Sequence, residues 1–266
     1  MRVLLKGAGD LASGIAVRLC HARFQVVMTE VARPTTVRRT VSFSQAVADG
    51  TATVEGVSAV LAPSIDTVEA ILATGKIAVL VDPMAASLPA LRPDVLVDAI
   101  LAKRNLGTAM HDAPVVIGVG PGFVAGLDCH AVVETERGHD LGRVILSGGA
   151  APNTGVPGEI GGQSEKRVLR APSAGIFRQV LEIGSQVAPG DRIGLVDDTP
   201  VLSEIGGILR GVLASGVPVT PGMKCGDVDP RCKPAHCYSV SDKARAVGGG
   251  VLEAILRLLP SPLARR

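Results

Sequence analysis

The stretch Arg2-Val-Leu-Leu-Lys-Gly-Ala-Gly9 carries a short apolar strand straight into a glycine turn. The turn reads Gly7-Ala8-Gly9-Asp10-Leu11-Ala12 and opens an apolar helical stretch from Leu11 to Cys20. In this order the residue types have distinct uses. Gly7 permits a tight turn, Gly9 lets backbone approach a pyrophosphate, and Ala12 lets the helix pack close to the strand. The free N–H groups of the helix start, at Asp10, face an anion. A second apolar strand, Phe24 to Met28, ends at Thr29-Glu30, where a dinucleotide-binding unit keeps the acid for a ribose hydroxyl. Strand, glycine loop, helix, strand and acid in sequence predict a nucleotide-binding start to an α/β fold. The competing reading is a turn whose glycines serve packing alone.

Working outward, 266 residues suit two domains with a sizeable core. Twenty-seven basic against 25 acidic residues leave a net charge of +2 and no basic stripe, which argues against a nucleic-acid partner. With no Trp, one Tyr and four Phe, stacking on single strands is poorly supported as well. No segment reaches the roughly 18 uninterrupted apolar residues of a membrane span. The start has no signal-peptide pattern, and five scattered cysteines suit a reducing cytoplasm.

The first half alternates strands and helices. A short helix is expected near Ser44–Ala48, a hairpin at 51–55 and 58–61 around Gly56, and a helix at Ile65–Ala73. Strands follow at 77–81, 95–97 and 115–119. This predicts a mainly parallel sheet with helices on both faces and ligands at its carboxyl ends. The polar groups expected there are Asp10, Glu30, Asp82 and Asp98. A second glycine loop, Gly118 to Gly122, joins them, with Gly120 and Gly122 read either as a nucleotide cap or as an exit turn.

The second half contains a repeat. Gly175, Val180, Leu181, Gly184, Val187, Pro189, Gly190 and Asp197 recur 32 residues later as Gly207, Val212, Leu213, Gly216, Val219, Pro221, Gly222 and Asp229. Eight matches in one register predict a duplicated β unit of two interlocked halves over about 165–229. This resembles the barrel-sandwich fold of biotinyl and lipoyl carrier domains. Those carriers bear a modified lysine on the turn between the halves. Here the turn is Asp197-Asp198-Thr199-Pro200, and no lysine occurs between Lys166 and Lys224. A lid, spacer or docking role is expected, not a swinging arm. Cys225 aligns with Ile193 and reads as core. The organisation expected is a Rossmann-like domain over 1–125 and a β-rich domain over 126–266, closed by a helix at about 248–259.

Two polar clusters remain. If residues 128–135 form a strand, Asp128, His130 and Glu134 share a face, suited to a metal or a proton transfer. The other cluster joins Asp227 and Asp229 to His236 and Cys237, with Lys243 and Arg245 ahead of Gly248–Gly250. The start of the closing helix would then receive an anion. Asp128, His130, Asp227, Asp229, His236 and Cys237 are expected to meet in one pocket as the catalytic set.

The blocks GAGDLASG (7–14), VVMTEVARPTTVRRTVSFSQAV (26–47), AKRNLGT (102–108), GVGPGFVAGLDCHAVVETERGHDLGRV (118–144), NTGVPG (153–158), GDVDPR (226–231) and HCYSVSDKARAVGGGVLEAIL (236–256) resemble the YqeB family. They run in order along nearly the whole chain. The resemblance implies a Rossmann-like N-terminus and an association with maturation of selenium-dependent molybdenum hydroxylases. It leads us to expect an accessory factor that binds a nucleotide or dinucleotide, NAD(P)-like or related to molybdenum cofactor. Its expected partners are an apo molybdenum hydroxylase or other cofactor-maturation proteins. The alternatives are a free-standing NAD(P)-dependent oxidoreductase, with His130 or Lys103 as proton relay, and a non-catalytic scaffold.

Overall fold

Alternation of apolar runs with helices produces a mixed α/β molecule with one large, mostly parallel sheet and two smaller antiparallel sheets. The computed structural model describes residues 1–155 and 158–259. Val156 and Pro157, from the NTGVPG block, lie outside the described residues.

The first unit is β1 (Arg2–Lys6), α1 (Asp10–His21) and β2 (Gln25–Glu30). Then come α2 (Gln45–Asp49), the hairpin β3 (Thr51–Val54) and β4 (Val57–Ala62), α3 (Val68–Ala73) and β5 (Ile77–Val81). The sheet is completed by α4 (Leu88–Leu91), β6 (Val95–Asp98), β7 (Val115–Val119), β8 (Ala131–Val133) and β9 (Val144–Ile145). The strand order is β3-β4-β5-β2-β1-β6-β7-β8-β9, parallel throughout except for the outermost pairs. Both faces of β1 are covered, so it reads as a continuous apolar run. Val3 and Leu5 face the cluster that holds α1, while Leu4 faces the one that holds α3 and α4.

The repeat forms β10 (Val168–Arg170), β11 (Gly175–Gln179), β12 (Gln186–Val187), β13 (Arg192–Val196), β14 (Thr199–Leu202), β15 (Gly207–Val212), β16 (Val217–Val219) and β17 (Lys224–Asp229). Its sheets are ordered β10-β17-β15-β12 and β14-β13-β11-β16. Each half lends its second strand to the other: β11 pairs with β16, and β15 with β12. Phe177, Ile193, Leu209 and Cys225 fill the space between the sheets. Burial pushes the Cys225 thiol up to about 11, as suits a core side chain.

Three expectations are corrected here. The sheet does not stop at residue 125, because β8 and β9 extend it along the β7 side. The run 128–135 is a strand only over Ala131–Val133, with a turn before it. The closing helix, α5 (Asp242–Leu258), starts before the triple glycine and runs through it. Helix α5 returns to pack on α1. The glycines make that return possible: a Cβ on Gly248 would sit 3.1 Å from the Gly14 carbonyl oxygen. One body therefore holds both β1 and α5, and the repeat lies between them in the chain.

The segment from Val37 to Thr40 ties the two together. Val37 O accepts from Val212 N at 2.8 Å, and Arg39 Nε donates to Val212 O at 2.9 Å. Thr40 Oγ1 donates to Cys237 O at 2.5 Å.

Candidate functional site

The glycine turn takes the expected shape but is closed by its own neighbours. Gly7 has φ +93°, and a Cβ there would meet Ala99 O at 3.0 Å, so only glycine fits without strain. Glu30 lies where a ribose-binding acid would, yet its Oε2 accepts from Ala8 N at 2.9 Å and its Oε1 from Val31 N at 2.8 Å. Burial raises the Glu30 carboxyl, and those two N–H donors pull the other way. Ala8 O accepts from Ser44 N and from Ser13 Oγ. Gly9 caps α1 with φ −67° and faces Thr36, while Ala12 is buried against the sheet. Of this motif, only Asp10 and Leu11 reach the large cavity.

That cavity, about 550 Å³, opens at the carboxyl ends of β1, β6, β7 and β8 and is walled on its far side by β15 and β17. In the sheet order, β2 and β6 flank β1 on opposite sides, so the cavity sits where the chain switches winding direction. Seven basic side chains and three acidic ones line it. From the large sheet's loops come Arg38, Lys103 and Arg137, from the repeat Arg210 and Lys224, and beside them Arg167 and Lys243. The acids are Asp10, Glu136 and Asp227.

Asp227 sits among the cations. Arg167 contacts Asp227 Oδ1 directly and gives two more hydrogen bonds to Gly158 O. Arg210 Nη1 and Lys224 Nζ each lie 3.9 Å from the same carboxylate. Asp229 is nearly fully buried and gripped by Arg231, with Nε at 2.9 Å and Nη2 at 2.6 Å. Burial would raise its pKa, but the Arg231 hydrogen bonds and the Arg231 and Arg210 charges win and hold it at about 2. His236 Nδ1 is 3.5 Å from Asp229 Oδ2, with no hydrogen bond formed. Arg38 Nη2 donates to His236 O at 2.9 Å and Ser239 O at 3.1 Å, and its Nη1 faces Asp10 at 3.6 Å.

Asp227, Asp229 and His236 therefore adjoin, and of these only Asp227 lines the cavity. Cys237 is fully buried, with Sγ 3.8 Å from Leu209 O, and burial raises its thiol. Its place in the core does not suit the expected catalytic role. Asp128 and His130 do not join the set. Asp128 Oδ2 accepts from Val124 N, and His130 Nδ1 accepts from Val116 N at 3.0 Å, near the amino end of β7. Asp128 thus closes a turn and His130 ties the chain to β7, at the end of the sheet opposite the cavity. Gly120 and Gly122 have φ of +80° and +109°. A Cβ on Gly122 would strike Arg104 N at 2.5 Å and one on Gly120 would meet Thr135 Oγ1 at 2.7 Å, so these glycines let residues 103–104 and Thr135 approach, while Pro121 reaches the cavity. Asp98 bonds Thr108 Oγ1 at 2.6 Å beside Lys6 Nζ, and Asp82 accepts from Ala86 N and Ser87 N, so neither is free. Among the described residues no three His, Cys, Asp or Glu side chains gather as a metal site.

Reading the sequence missed Arg38, Arg137, Arg167 and Arg210. One signal was available: Arg210 interrupts the otherwise apolar Ile208-Leu209-Arg210-Gly211-Val212. A charge in a fully buried strand needs a partner or a ligand.

Along 97% of its length the chain is 53% identical over 257 residues to YqeB of Escherichia coli K12. This chain belongs to the YqeB family. It spans about half of that relative's length, 48%. No family model matches. Among solved structures, a succinylglutamate desuccinylase/aspartoacylase from Rhodobacter sphaeroides aligns over 25% of this chain and 22% of its own, at 24% identity and a TM-score of 0.22. The product-bound ectoine utilization protein EutE (DoeB) from Ruegeria pomeroyi aligns over 76% and 57%, at 13% identity and a TM-score of 0.24. Likeness this slight carries no argument about activity. No described helix is long and apolar enough to cross a membrane.

Proposed function

We propose that this YqeB-family chain binds a multiply anionic, phosphate-bearing cofactor in the cavity between its two bodies and acts as an accessory factor in molybdenum hydroxylase maturation. The observation that carries the binding half is the lining, seven basic against three acidic side chains at the carboxyl edge of a parallel sheet. Arg38, Arg167 and Arg210 are buried and already lie beside Asp10, Asp227 and Asp229. The more exposed Lys103, Arg137, Lys224 and Lys243 leave the lining with an excess of positive charge that suits an anion. A nucleotide, a dinucleotide and molybdenum cofactor are all such anions. The maturation half rests on the family.

The finer fold reading supports this. Outward from β1, the sheet order and glycine turn suit a Rossmann-like nucleotide domain, here completed by α5. Reciprocal pairing of the repeat suits a barrel sandwich, and its lysine-free hairpin suits docking more than carrying. We read the repeat as a β-rich insert in the Rossmann-like body, not as a separate C-terminal domain. The five free cysteines suit a reducing cytoplasm. The oxidoreductase alternative is less well supported, since of its two relay candidates only Lys103 lines the cavity.

Thermal-shift measurement against NAD, NADP, S-adenosylmethionine, ATP, CTP and molybdopterin tests the binding half, because a ligand of the native state raises its melting point. A deletion strain tests the rest: hydroxylase polypeptide should be present but inactive. Unchanged hydroxylase activity, with NAD(P)-dependent turnover by the purified protein, would favour the oxidoreductase.

A further inference from the structure

Within the cavity the positive charge has a focus. Helices α1 and α5 lie side by side and run the same way, with Gly14 against Ala244 and Gly248 against Ile15 and Arg18. Their first turns reach the cavity together, through Asp10 and Leu11 from one and Ser241 and Lys243 from the other. Each helix start carries the positive end of a macrodipole, although at α5 Ser241 Oγ already accepts from Ala244 N at 3.1 Å.

Lys243 is at the unfavourable end of its helix for a cation, and it is half-buried. Among the described residues no carboxylate stands within 4.0 Å of its Nζ. The acids around it are committed elsewhere. Asp242 holds Arg137 at 2.7 and 3.0 Å, Glu134 accepts from the N–H groups of Thr135, Glu136 and Ala151, and Asp10 faces Arg38. Arg38, more than nine-tenths buried, lines the same cavity, and its Nε has no hydrogen-bond partner. A cation without a close counter-ion, beside a buried guanidinium and at two converging helix starts, leaves a place for one anionic group.

We infer that this corner seats the ligand's phosphate, a phosphomonoester or pyrophosphate, with Lys243 Nζ as counter-ion and the Arg38 guanidinium as a second, fixed positive charge. The inference rests on the anion-binding reading of the cavity and adds where the ligand's charge goes. Burial, with Arg137 and Lys103 nearby, lowers the Lys243 pKa, and a bound dianion would reverse that.

Calorimetry on the full chain with inorganic pyrophosphate and with CTP tests it. Lys243→Gln should weaken both at least about tenfold, the loss expected for one charged hydrogen bond. Arg245→Gln should not, since Arg245 pairs with Glu55 and does not line the cavity. Pyrophosphate should also shield Lys243 of the wild type from reductive methylation about fivefold or more and leave Lys76 unshielded, a reading that needs no variant. If either probe binds and Lys243→Gln stays within threefold of wild type, or if bound pyrophosphate leaves Lys243 unshielded, the phosphate seat is overturned while the cavity reading stands. If neither probe binds the wild type, the cavity reading itself fails.

Discussion

At the scale of single residues, the acids divide by what they hold. Asp229 is depressed to about 2 by Arg231, below its usual value near 3.8. A carboxylate with a lowered folded-state pKa stabilises the fold above its unfolded pKa, and that contribution is lost as pH falls through the folded value. The wild type should therefore lose about 2 kcal/mol of unfolding free energy between pH 4 and pH 2 through this group. Asp229→Asn should lack that part of the acid-denaturation profile, and a profile identical to wild type would exclude the assignment. Glu30→Ala makes a different point. Because Glu30 closes the glycine turn at Ala8 N and Val31 N, its removal should cost about 1–3 kcal/mol by chemical denaturation with no ligand present. The glycine turn was legible because Gly7 needs a left-handed φ, whereas the use of Glu30 was not, since spacing cannot show which donor an acid finds. Asp128 and His130 were misread for a related reason: alternation along a strand was assumed where a turn begins.

Among the elements, the repeat was the most legible feature, because a constant offset of 32 residues reports a structural unit directly. The closing helix was the least legible. Three consecutive glycines read as the start of the helix, since each costs about 1 kcal/mol of propensity in a helix interior, but packing reverses that cost where backbones meet. Gly250 and Gly249 separate the two effects. A Cβ on Gly250 would run into the Gly142 carbonyl oxygen and lie 2.8 Å from Val133 Cγ1, while on Gly249 nothing lies within 4 Å. Gly250→Ala should destabilise by about 1–3 kcal/mol through overpacking. Gly249→Ala should stabilise by roughly 0.5–1 kcal/mol through reduced backbone entropy. Equal effects of the two in thermal unfolding would show that α5 does not rest on the sheet as described.

For the whole molecule, the parallel sheet and the cavity at its carboxyl edge were legible from strand–helix alternation, but the lining of that cavity was not. Its cations come from segments far apart in sequence, and only the packing of the repeat against the sheet assembles them. Arg38 is where that packing is most concentrated. One guanidinium satisfies His236 O and Ser239 O from the far body while facing Asp10 of its own, and Arg39 and Thr40 extend the seam beside it. Arg38→Met keeps much of the side-chain volume but removes the charge and both hydrogen bonds. It leaves the half-buried His236 and Ser239 carbonyl groups without that donor, at a cost of about 1–3 kcal/mol. The loss should be local before it is global, because β1 and β2 are held by each other and by β5 and β6 and take no hydrogen bond from Arg38. Amide hydrogen exchange should show faster exchange at 36–41 and 236–240, with β1 and β2 still protected. Uniform loss of protection across both bodies would instead mean that the seam and the sheet unfold as one unit. Unchanged protection at the seam would mean that Arg38 is held there for the ligand alone.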